Sequence, residues 1–345
     1  GPGRNTGLDY GGSGGGRRSS VGVKRWGHHV TMSGFLVFLV FPVSAHTQDL
    51  ELLVAHCASG GTPSLLAACS NALLAGQALQ GGITIADAAG TELPGTSSTI
   101  GGLFGRSPRV SLATGIRAAF FEMPDVHGQG TDGQGTNTVT SYGLKGTVVI
   151  GVLDGFSISP TVGGIFSLDL LGSLGLLLLD ERDGFTDNQA VMSGGMRLGL
   201  FRESFTMPGF TISVVQRYGG AVGWGKTGSL QTQIDTDVSA TSVRATVGND
   251  LFALALLAGI GWDWSKGALG VQVTDPVDRN IRGVASTDNL ISRRDIYFIG
   301  MSVTRFILQV SLEAGWAGGY SNLPGYQGAY DPGRRAPFMG LAGRI

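Results

Sequence analysis

One stretch of this sequence matches a motif that binds nucleotide phosphates. Gly220–Thr227 reads GAVGWGKT and fits the phosphate-loop pattern G-x-x-x-x-G-K-[ST]. In a nucleoside triphosphatase, backbone amides would cradle the phosphates, Lys226 would reach the terminal phosphate and Thr227 would bind Mg²⁺. That loop needs a helix directly after it in a parallel βαβ unit, but a Gly-, Ser-, Thr- and Asp-rich stretch of poor helix formers follows. We therefore expect an extracellular loop here and keep a P-loop NTPase as an alternative function.

Other catalytic patterns are weaker. A hydrolase needs a Ser or Asp beside a His that a third group orients, and the segment after residue 109 contains one His, His127, in a Gly-rich loop. Gly128–Gly133 fits the dinucleotide pattern G-x-G-x-x-G, but no helix follows it. A barrel-embedded hydrolase is thus a second alternative, and we expect neither an enzyme nor a cofactor.

Cys57 and Cys69 are the two cysteines of the chain. In an oxidising compartment a pair this close closes a short loop as a disulfide. His56 beside Cys57 raises the question of a metal, but two thiolates and one His are an incomplete ligand set. We favour a disulfide over free thiols and over a metal site.

The N-terminal region predicts export. Residues 1–31 are rich in Gly, Arg and Ser without an apolar period, which indicates a disordered, non-native or over-extended start with Met32 as the translation start. The apolar run Phe35–Phe41 is followed by the small-residue site Val43-Ser44-Ala45, as in a secretory signal peptide. We assign residues 32–45 to a signal peptide and residues 46–108 to a periplasmic segment.

Composition limits how this chain crosses a membrane. It has 345 residues, 59 of them Gly, and a net charge of −1, so its overall charge does not favour nucleic acid as a partner. No apolar run reaches the roughly 18–20 residues of a transmembrane helix. A membrane-spanning form must therefore use strands that close on themselves. Before them, Ser64–Leu79 has apolar residues at helical spacing after Pro63, which predicts a short periplasmic helix.

From residue 109 onward, short segments alternate between apolar and polar residues. In Phe306–Gly318 one face carries Phe, Leu, Val, Leu, Ala and Trp and the other mostly polar or small residues, the pattern of a lipid-facing strand. Within Ile165–Leu179 the apolar run is nearly continuous, so a short helix is an alternative there. The predicted strands are 109–121, 139–152, 161–171, 191–202, 210–221, 238–248, 251–263, 294–305, 306–318 and 336–345.

The predicted connections alternate in length. Long ones are 122–138, 172–190, 222–237, 264–293 and 319–335, and the others are short. Bacterial outer-membrane barrels have long extracellular loops and short periplasmic turns. Residues 109–345 therefore resemble the outer-membrane β-barrel proteins of Gram-negative bacteria, although Ile345 stands where their last strand commonly ends in an aromatic residue.

The resemblance implies an all-β fold, a transmembrane antiparallel up-and-down barrel of about ten strands preceded by a short periplasmic helix. It implies an outer-membrane location, with membrane lipid and the barrel assembly machinery as partners. Substrate and oligomeric state stay open.

Strand alternation also predicts what lies inside the barrel. A cation facing lipid at the midplane would cost roughly 2–4 kcal/mol, so the alternating basic residues should face the lumen. These inward basic residues are Arg117, Lys145, Arg197, Arg217 and Arg244, and the clearest inward acid is Glu313.

Buried cations must be paired or solvated. Either the Asp-rich long loops fold in and neutralise them, which closes the barrel, or water and anions do so in a narrow anion-preferring channel. We favour closure and expect no pore for large solutes, since about ten strands enclose little more space than the side-chain-filled eight-strand barrel. The predicted function is a non-enzymatic outer-membrane barrel with a structural or surface-binding role, or a narrow anion-preferring channel.

Overall fold

A computed structural model describes residues 47–102, 109–126, 135–157, 164–203, 207–225, 232–251 and 253–345. Two helices precede ten strands. The helices are α1 (Thr47–Cys57) and α2 (Pro63–Ala88). The strands are β1 (Val110–Pro124), β2 (Thr136–Leu153), β3 (Ser167–Leu179), β4 (Gln189–Phe201), β5 (Gly209–Trp224), β6 (Thr232–Leu251), β7 (Leu254–Thr274), β8 (Arg282–Arg305), β9 (Leu308–Ala317) and β10 (Ala336–Arg344).

The ten strands form one closed antiparallel barrel in which each strand pairs with its neighbours in sequence. The barrel closes between β1 and β10, where Ala113 lies opposite Arg344 and Ala119 opposite Phe338. Closure leaves no sheet edge with unpaired backbone groups, which a membrane-spanning sheet requires. The predicted fold class, an up-and-down barrel of about ten strands after a helical segment, is confirmed.

The connections between strands define the two ends of the barrel. The long-loop end carries connections 125–135, 180–188, 225–231, 275–281 and 318–335. The short-turn end carries connections 154–166, 202–208, 252–253 and 306–307, together with the start of β1. It is named for the two-residue turns 252–253 and 306–307, since 154–166 is longer than most connections at the other end.

The half of the wall nearest the short-turn end is apolar outside and polar inside. In β9, Val310, Leu312 and Trp316 are exposed on the outer face, while Ser311 and Glu313 are buried on the inner face. The same alternation runs around the barrel and gives a continuous apolar belt. Such a belt is the surface that lipid covers in a transmembrane barrel.

The polarity of the wall inverts toward the long-loop end. In the first part of β6, Ile234 and Val238 are buried inside, whereas Asp235 is exposed outside. Strands β6, β7 and β8 therefore continue beyond the apolar belt, and the predicted long loops 222–237 and 264–293 were wrong in extent. A search for strands whose apolar face points outward misses these extensions, because their apolar face packs inward.

The predicted position of strand β3 was also wrong. It covers Ser167–Leu179, not 161–171, and residues 161–163 lie outside the described part of the chain. The apolar run is continuous because Leu170, Leu174 and Leu176 face outward, while Leu177 is buried inside. A strand with apolar surroundings on both faces loses the alternation by which it would be recognised.

Helix α2 lies inside the barrel. Its residues Asp87 and Ala88 are contacted from β1, β2, β5 and β6, which only the interior of a closed barrel allows. The helix has 26 residues, so it is longer than the short helix 64–79 that the sequence predicted. It lies within the lumen and not in a periplasmic segment ahead of the barrel. Among the described residues, no helix is long and apolar enough to span a membrane.

Glycines let α2 approach the wall closely. A Cβ at Gly76 would press on Leu269, and a Cβ at Gly82 would overlap the ring of Phe121. From residue 71 onward the helix is buried on all sides, and its mostly apolar side chains form one hydrophobic core with inward residues of the wall, as expected of an enclosed helix. The long-loop half of the lumen is thus filled by packed side chains.

The two helices form a hairpin that a disulfide joins at the long-loop end. Cys57 and Cys69 are bonded, as predicted, and lie against Gly283 near the start of β8. Asp275 of the β7–β8 connection accepts hydrogen bonds from Thr62, the N-cap of α2, and from Ser64. The start of α2 is therefore fixed at the long-loop end.

Candidate functional site: the charged interior of the barrel

The chain leaves α2 and continues down the lumen to the short-turn end. Residues 63–102, called the plug below, comprise α2 and this descending segment. Gly90 turns the chain at φ 81°, and a Cβ there would collide with the carboxylate of Glu313. Further down, Gly95 O accepts from Ser302 and Gln309, and the amides of Ile100 and Gly101 donate to Asp169.

Two wall cations pair with acids of the plug. Arg217 of β5 lies 3.0 Å from Oδ2 of Asp87 through Nε and 2.5 Å from Oε1 of Glu92 through Nη2. Lys145 of β2 has its Nζ 3.7 Å from Asp87 and 3.9 Å from Glu92. The two carboxylates of the plug thus lie between two basic side chains that come from separate strands.

The other predicted basic residues pair within the wall. Arg244 lies 2.6 Å from Asp263, Arg197 lies 2.9 Å from Asp169, and Arg117 lies 3.4 Å from Glu313.

These wall residues also bind the plug. Arg244 donates to Ala88 O, Arg197 to Ser98 O, and Glu313 accepts from Thr91. The structure therefore places all five predicted basic residues and Glu313 inside the barrel, each bonded to the plug or to a neighbouring strand.

The source of the neutralising acids differs from the expectation. We expected acidic residues of the long loops to fold in, but among the described residues the partners are Asp87 and Glu92 of the plug and Asp169, Asp263 and Glu313 of the wall. Asp169 and Asp263 occupy inward positions of predicted strands, so alternation could have identified them. Asp87 and Glu92 lie outside any strand, and the sequence carries no signal for them.

One further inward cation, Arg294 of β8, was not singled out from the sequence. Its guanidinium lies 4.0 Å from the centre of the Tyr320 ring, a cation–π contact beside Gly81 of α2. This contact attaches the connection 318–335 to the helix inside the barrel. The Arg294–Tyr320 contact lies at the boundary between the apolar half and the charged half of the lumen.

Little free space remains around the charges. A cavity of about 40 Å³ lies between Thr91 and Glu92 of the plug and Arg117, Lys145 and Glu313 of the wall. A space of this size holds a few water molecules, given the roughly 10–15 Å³ that each requires. Around these described residues the lumen therefore leaves room for water but not for larger solutes.

The short-turn end holds a pair of carboxyl groups. Glu203, next to the plug residue Ser98, accepts from the amide of Asp250 at the end of β6. Burial, reinforced by the neighbouring charge of Asp250, raises the pKa of Glu203 to about 7. This carboxyl can therefore gain or lose a proton near neutral pH.

A second titratable group lies at the long-loop end. The hydrogen bonds from Thr62 and Ser64 outweigh the effect of burial and hold the pKa of Asp275 at about 2. Asp275 therefore stays ionised and keeps the start of α2 attached to the loop.

The phosphate-loop motif lacks its structural context. Its first residues end β5, β6 begins at Thr232, and β5 and β6 are antiparallel. The parallel βαβ unit that a phosphate loop needs is absent from the part of the chain that the structure describes. Lys226, Thr227 and His127 lie outside the described residues, as do residues 1–31 and the expected signal peptide 32–45. Within the described residues, no group of His, Cys, Asp and Glu could hold a metal ion.

These features define a transmembrane β-barrel whose lumen is filled by a segment of the same chain, the plug. No family model and no curated protein matches the chain. Among solved structures, the transport unit of the autotransporter AIDA-I from Escherichia coli is 10% identical, with 79% of this chain and 98% of that chain covered and a TM-score of 0.36. The translocator domain of the autotransporter NalP from Neisseria meningitidis is 11% identical, covering 70% and 88%, with a TM-score of 0.36.

A third solved structure belongs to a different kind of barrel. The toluene transporter TodX of Pseudomonas putida is 9% identical, covering 73% of this chain and 95% of that chain, with a TM-score of 0.31. At these values the likeness concerns fold alone. The closed ten-strand barrel itself confirms the predicted resemblance to outer-membrane β-barrel proteins.

Proposed function

We propose that this protein is a non-conducting outer-membrane barrel that carries its own N-terminal segment through the lumen and holds the α1–α2 hairpin at the cell surface. The observation that carries the proposal is the path of the plug. It is fixed by Asp275 at one end of the barrel and by Asp169 at the other. The barrel then acts as an anchor for the hairpin.

The orientation follows from the two-residue turns 252–253 and 306–307 at one end and from the strand extensions and the long connection 318–335 at the other. In bacterial barrels the long connections face outward and the short turns face the periplasm. The long-loop end carries the disulfide-joined hairpin, and its inverted strand extensions resemble the wall of a water-exposed domain. The hairpin is therefore on the outer side, where a disulfide persists. This replaces the periplasmic helix that the sequence suggested.

The hairpin also offers a surface for binding. A groove of about 680 Å³ lies between α1, α2 and the connection 318–335, bordered by Leu66, Asn71 and Tyr326. Surface binding is the role that this end of the molecule supports, while the inside of the barrel is filled. Membrane lipid is the expected partner of the apolar belt, and the barrel assembly machinery is the expected partner during insertion.

The test combines topology with conductance. An epitope tag after Gly60, in the turn between the helices where a Cβ would meet no atom within 4 Å, should bind antibody on intact cells. The same tag in the turn Phe306–Ile307, whose residues are 90% and 84% exposed at the short-turn end, should bind only after permeabilisation. The reverse result would place the hairpin in the periplasm and contradict the proposal.

Conductance separates this function from its alternative, a constitutively open narrow anion channel. The wild-type protein in planar bilayers should show no steady channel activity, because residues 63–102 fill the lumen. Steady anion conductance by the wild type would favour the alternative.

A further inference from the structure

We infer that the wall of this barrel is an anion-selective pore for small inorganic anions, which the plug keeps closed, and that Asp87 and Glu92 are the residues that latch it. This inference rests on the proposed function, because it needs the plug to be inside the lumen in the resting state. It adds a second activity, conduction, in a state where the plug is displaced.

The inward cations are neutralised in two different ways. Arg117, Arg197 and Arg244 each have an acidic partner on the wall, which stays in place whatever the plug does. Lys145 and Arg217 have their ion pairs with the plug, through Asp87 and Glu92. The wall alone is thus more basic than the complete lumen.

Displacing the plug would leave two neighbouring cations without the carboxylates of their ion pairs, although Arg217 would keep its hydrogen bond to Ser242. Arg217 would lose both carboxylates that now lie within 3.0 Å of it, and Lys145 would lose the partners of its ammonium group. Buried cations of this kind recruit water and mobile anions. Basic side chains that line a pore favour anions over cations, so the opened lumen would conduct small anions such as chloride.

The same contacts explain why the resting state is closed. For the plug to move, both carboxylates must separate from two cations at once. The adjoining cavity of about 40 Å³ leaves little room for water to replace these contacts. On the outer face of the wall, the residues next to the two cations are exposed and apolar: Leu144 precedes Lys145, and Tyr218 follows Arg217. The latch is therefore at membrane depth, where an unpaired charge is least well solvated.

The experiment weakens the latch and measures current. Asp87→Asn/Glu92→Gln in the full chain, in planar bilayers with chloride as the anion, should open at least tenfold more often than the wild type. Its reversal potential in a KCl gradient should have the sign of an anion-selective pore. A control with the same change in charge, Glu181→Gln/Asp288→Asn, alters exposed acids and should stay as silent as the wild type.

A disulfide lock tests whether plug movement is what opens the pore. A Cβ at Gly76 would lie 3.3 Å from Cγ of Leu269, so the two side chains are in contact and cysteines at both positions are close enough to be joined by a disulfide. Adding Gly76→Cys/Leu269→Cys to the weakened latch should abolish the current until a reductant is added. The weakened latch without the lock, treated with the same reductant, controls for reduction of the Cys57–Cys69 bond.

Selectivity identifies the residues of the pore. Lys145→Gln/Arg217→Gln, added to the weakened latch, should keep the conductance and lose most of the anion preference. If the double latch variant does not fold, as judged by heat-modifiable migration, Glu92→Gln alone takes its place, because Asp87 still pairs with both cations.

Three outcomes would overturn the inference: a folded latch variant that stays silent, a current that prefers cations, or a current that the oxidised lock leaves unchanged. None of these affects the surface tag, so a failure here is separable from a failure of the proposed function.

Discussion

Arg217 of β5 and Glu92 of the plug form a buried ion pair with Nη2 and Oε1 2.5 Å apart. The two residues are 125 positions apart in the chain, and each is at least 95% buried. Their pairing joins the descending segment to the wall and neutralises two charges that are buried in the lumen.

Glu92→Gln should destabilise the folded barrel by about 3–5 kcal/mol, because it leaves part of the charge of Arg217 buried without its partner. The measurement is urea unfolding of the detergent-solubilised protein, followed by tryptophan fluorescence. Asp288→Asn, an exposed position on β8, is the control and should stay within about 0.5 kcal/mol of the wild type. The double variant Glu92→Met/Arg217→Met should recover most of the loss, since apolar replacement of a whole buried pair is often tolerated. No recovery would argue against the pair as the cause.

Gly82→Leu should weaken the docking of α2, because its Cβ would overlap the ring of Phe121. Overpacking of this kind costs roughly 1–3 kcal/mol, and the heat-modifiable transition in gel electrophoresis should shift to lower temperature. Gly172→Leu is a matched control, because that glycine faces outward on β3 and a Cβ there meets no atom within 4 Å. Equal effects of the two substitutions would contradict the position of α2 inside the barrel.

Stability should fall as pH rises through the range set by Glu203. Its pKa is about 7 in the folded protein against 4.5 for the unperturbed group. Between these values the folded state keeps a proton that the unfolded state releases, so the free energy of unfolding decreases from pH 4.5 to pH 7. Glu203→Gln should flatten the urea midpoint across this window, and Glu181→Gln should not. If other groups make the wild-type urea midpoint rise with pH, Glu203→Gln should make that rise steeper. A wild-type midpoint that rises with pH, with no steeper rise in Glu203→Gln, would refute the prediction.

Removing the disulfide should loosen the hairpin while the barrel stays intact. Protein purified without reductant should contain no free thiol, as expected from the bond between Cys57 and Cys69. Cys57→Ser/Cys69→Ser removes a constraint on a short loop that is worth up to about 3 kcal/mol. Amide hydrogen exchange should accelerate in α1 and in the first turns of α2, with the strands unchanged. Unchanged protection of the helices would show that packing against β8 holds the hairpin by itself.

Part of this architecture is determined by the sequence alone. The alternation in 306–318 predicts β9 and its lipid-facing side, and the same period assigns Arg117, Arg197 and Arg244 to the inner face. The rule works here because lipid on one side and polar contacts on the other impose a period of two. The spacing of Cys57 and Cys69 likewise predicts their bond.

Tertiary structure alone decided what fills the barrel. An apolar helix reads the same whether it packs outside a barrel or within one, so the sequence of α2 does not indicate the lumen. The inverted polarity of strands β6, β7 and β8 depends on the position of α2 in the lumen. The apolar inner faces of these strands pack against the apolar side chains of the enclosed helix. Asp87 and Glu92 become partners of Lys145 and Arg217 for the same reason. A period of two shows which residues of one strand share a face. It does not show which residues meet across the lumen, because those contacts form only when the barrel closes and join positions that are far apart in the sequence.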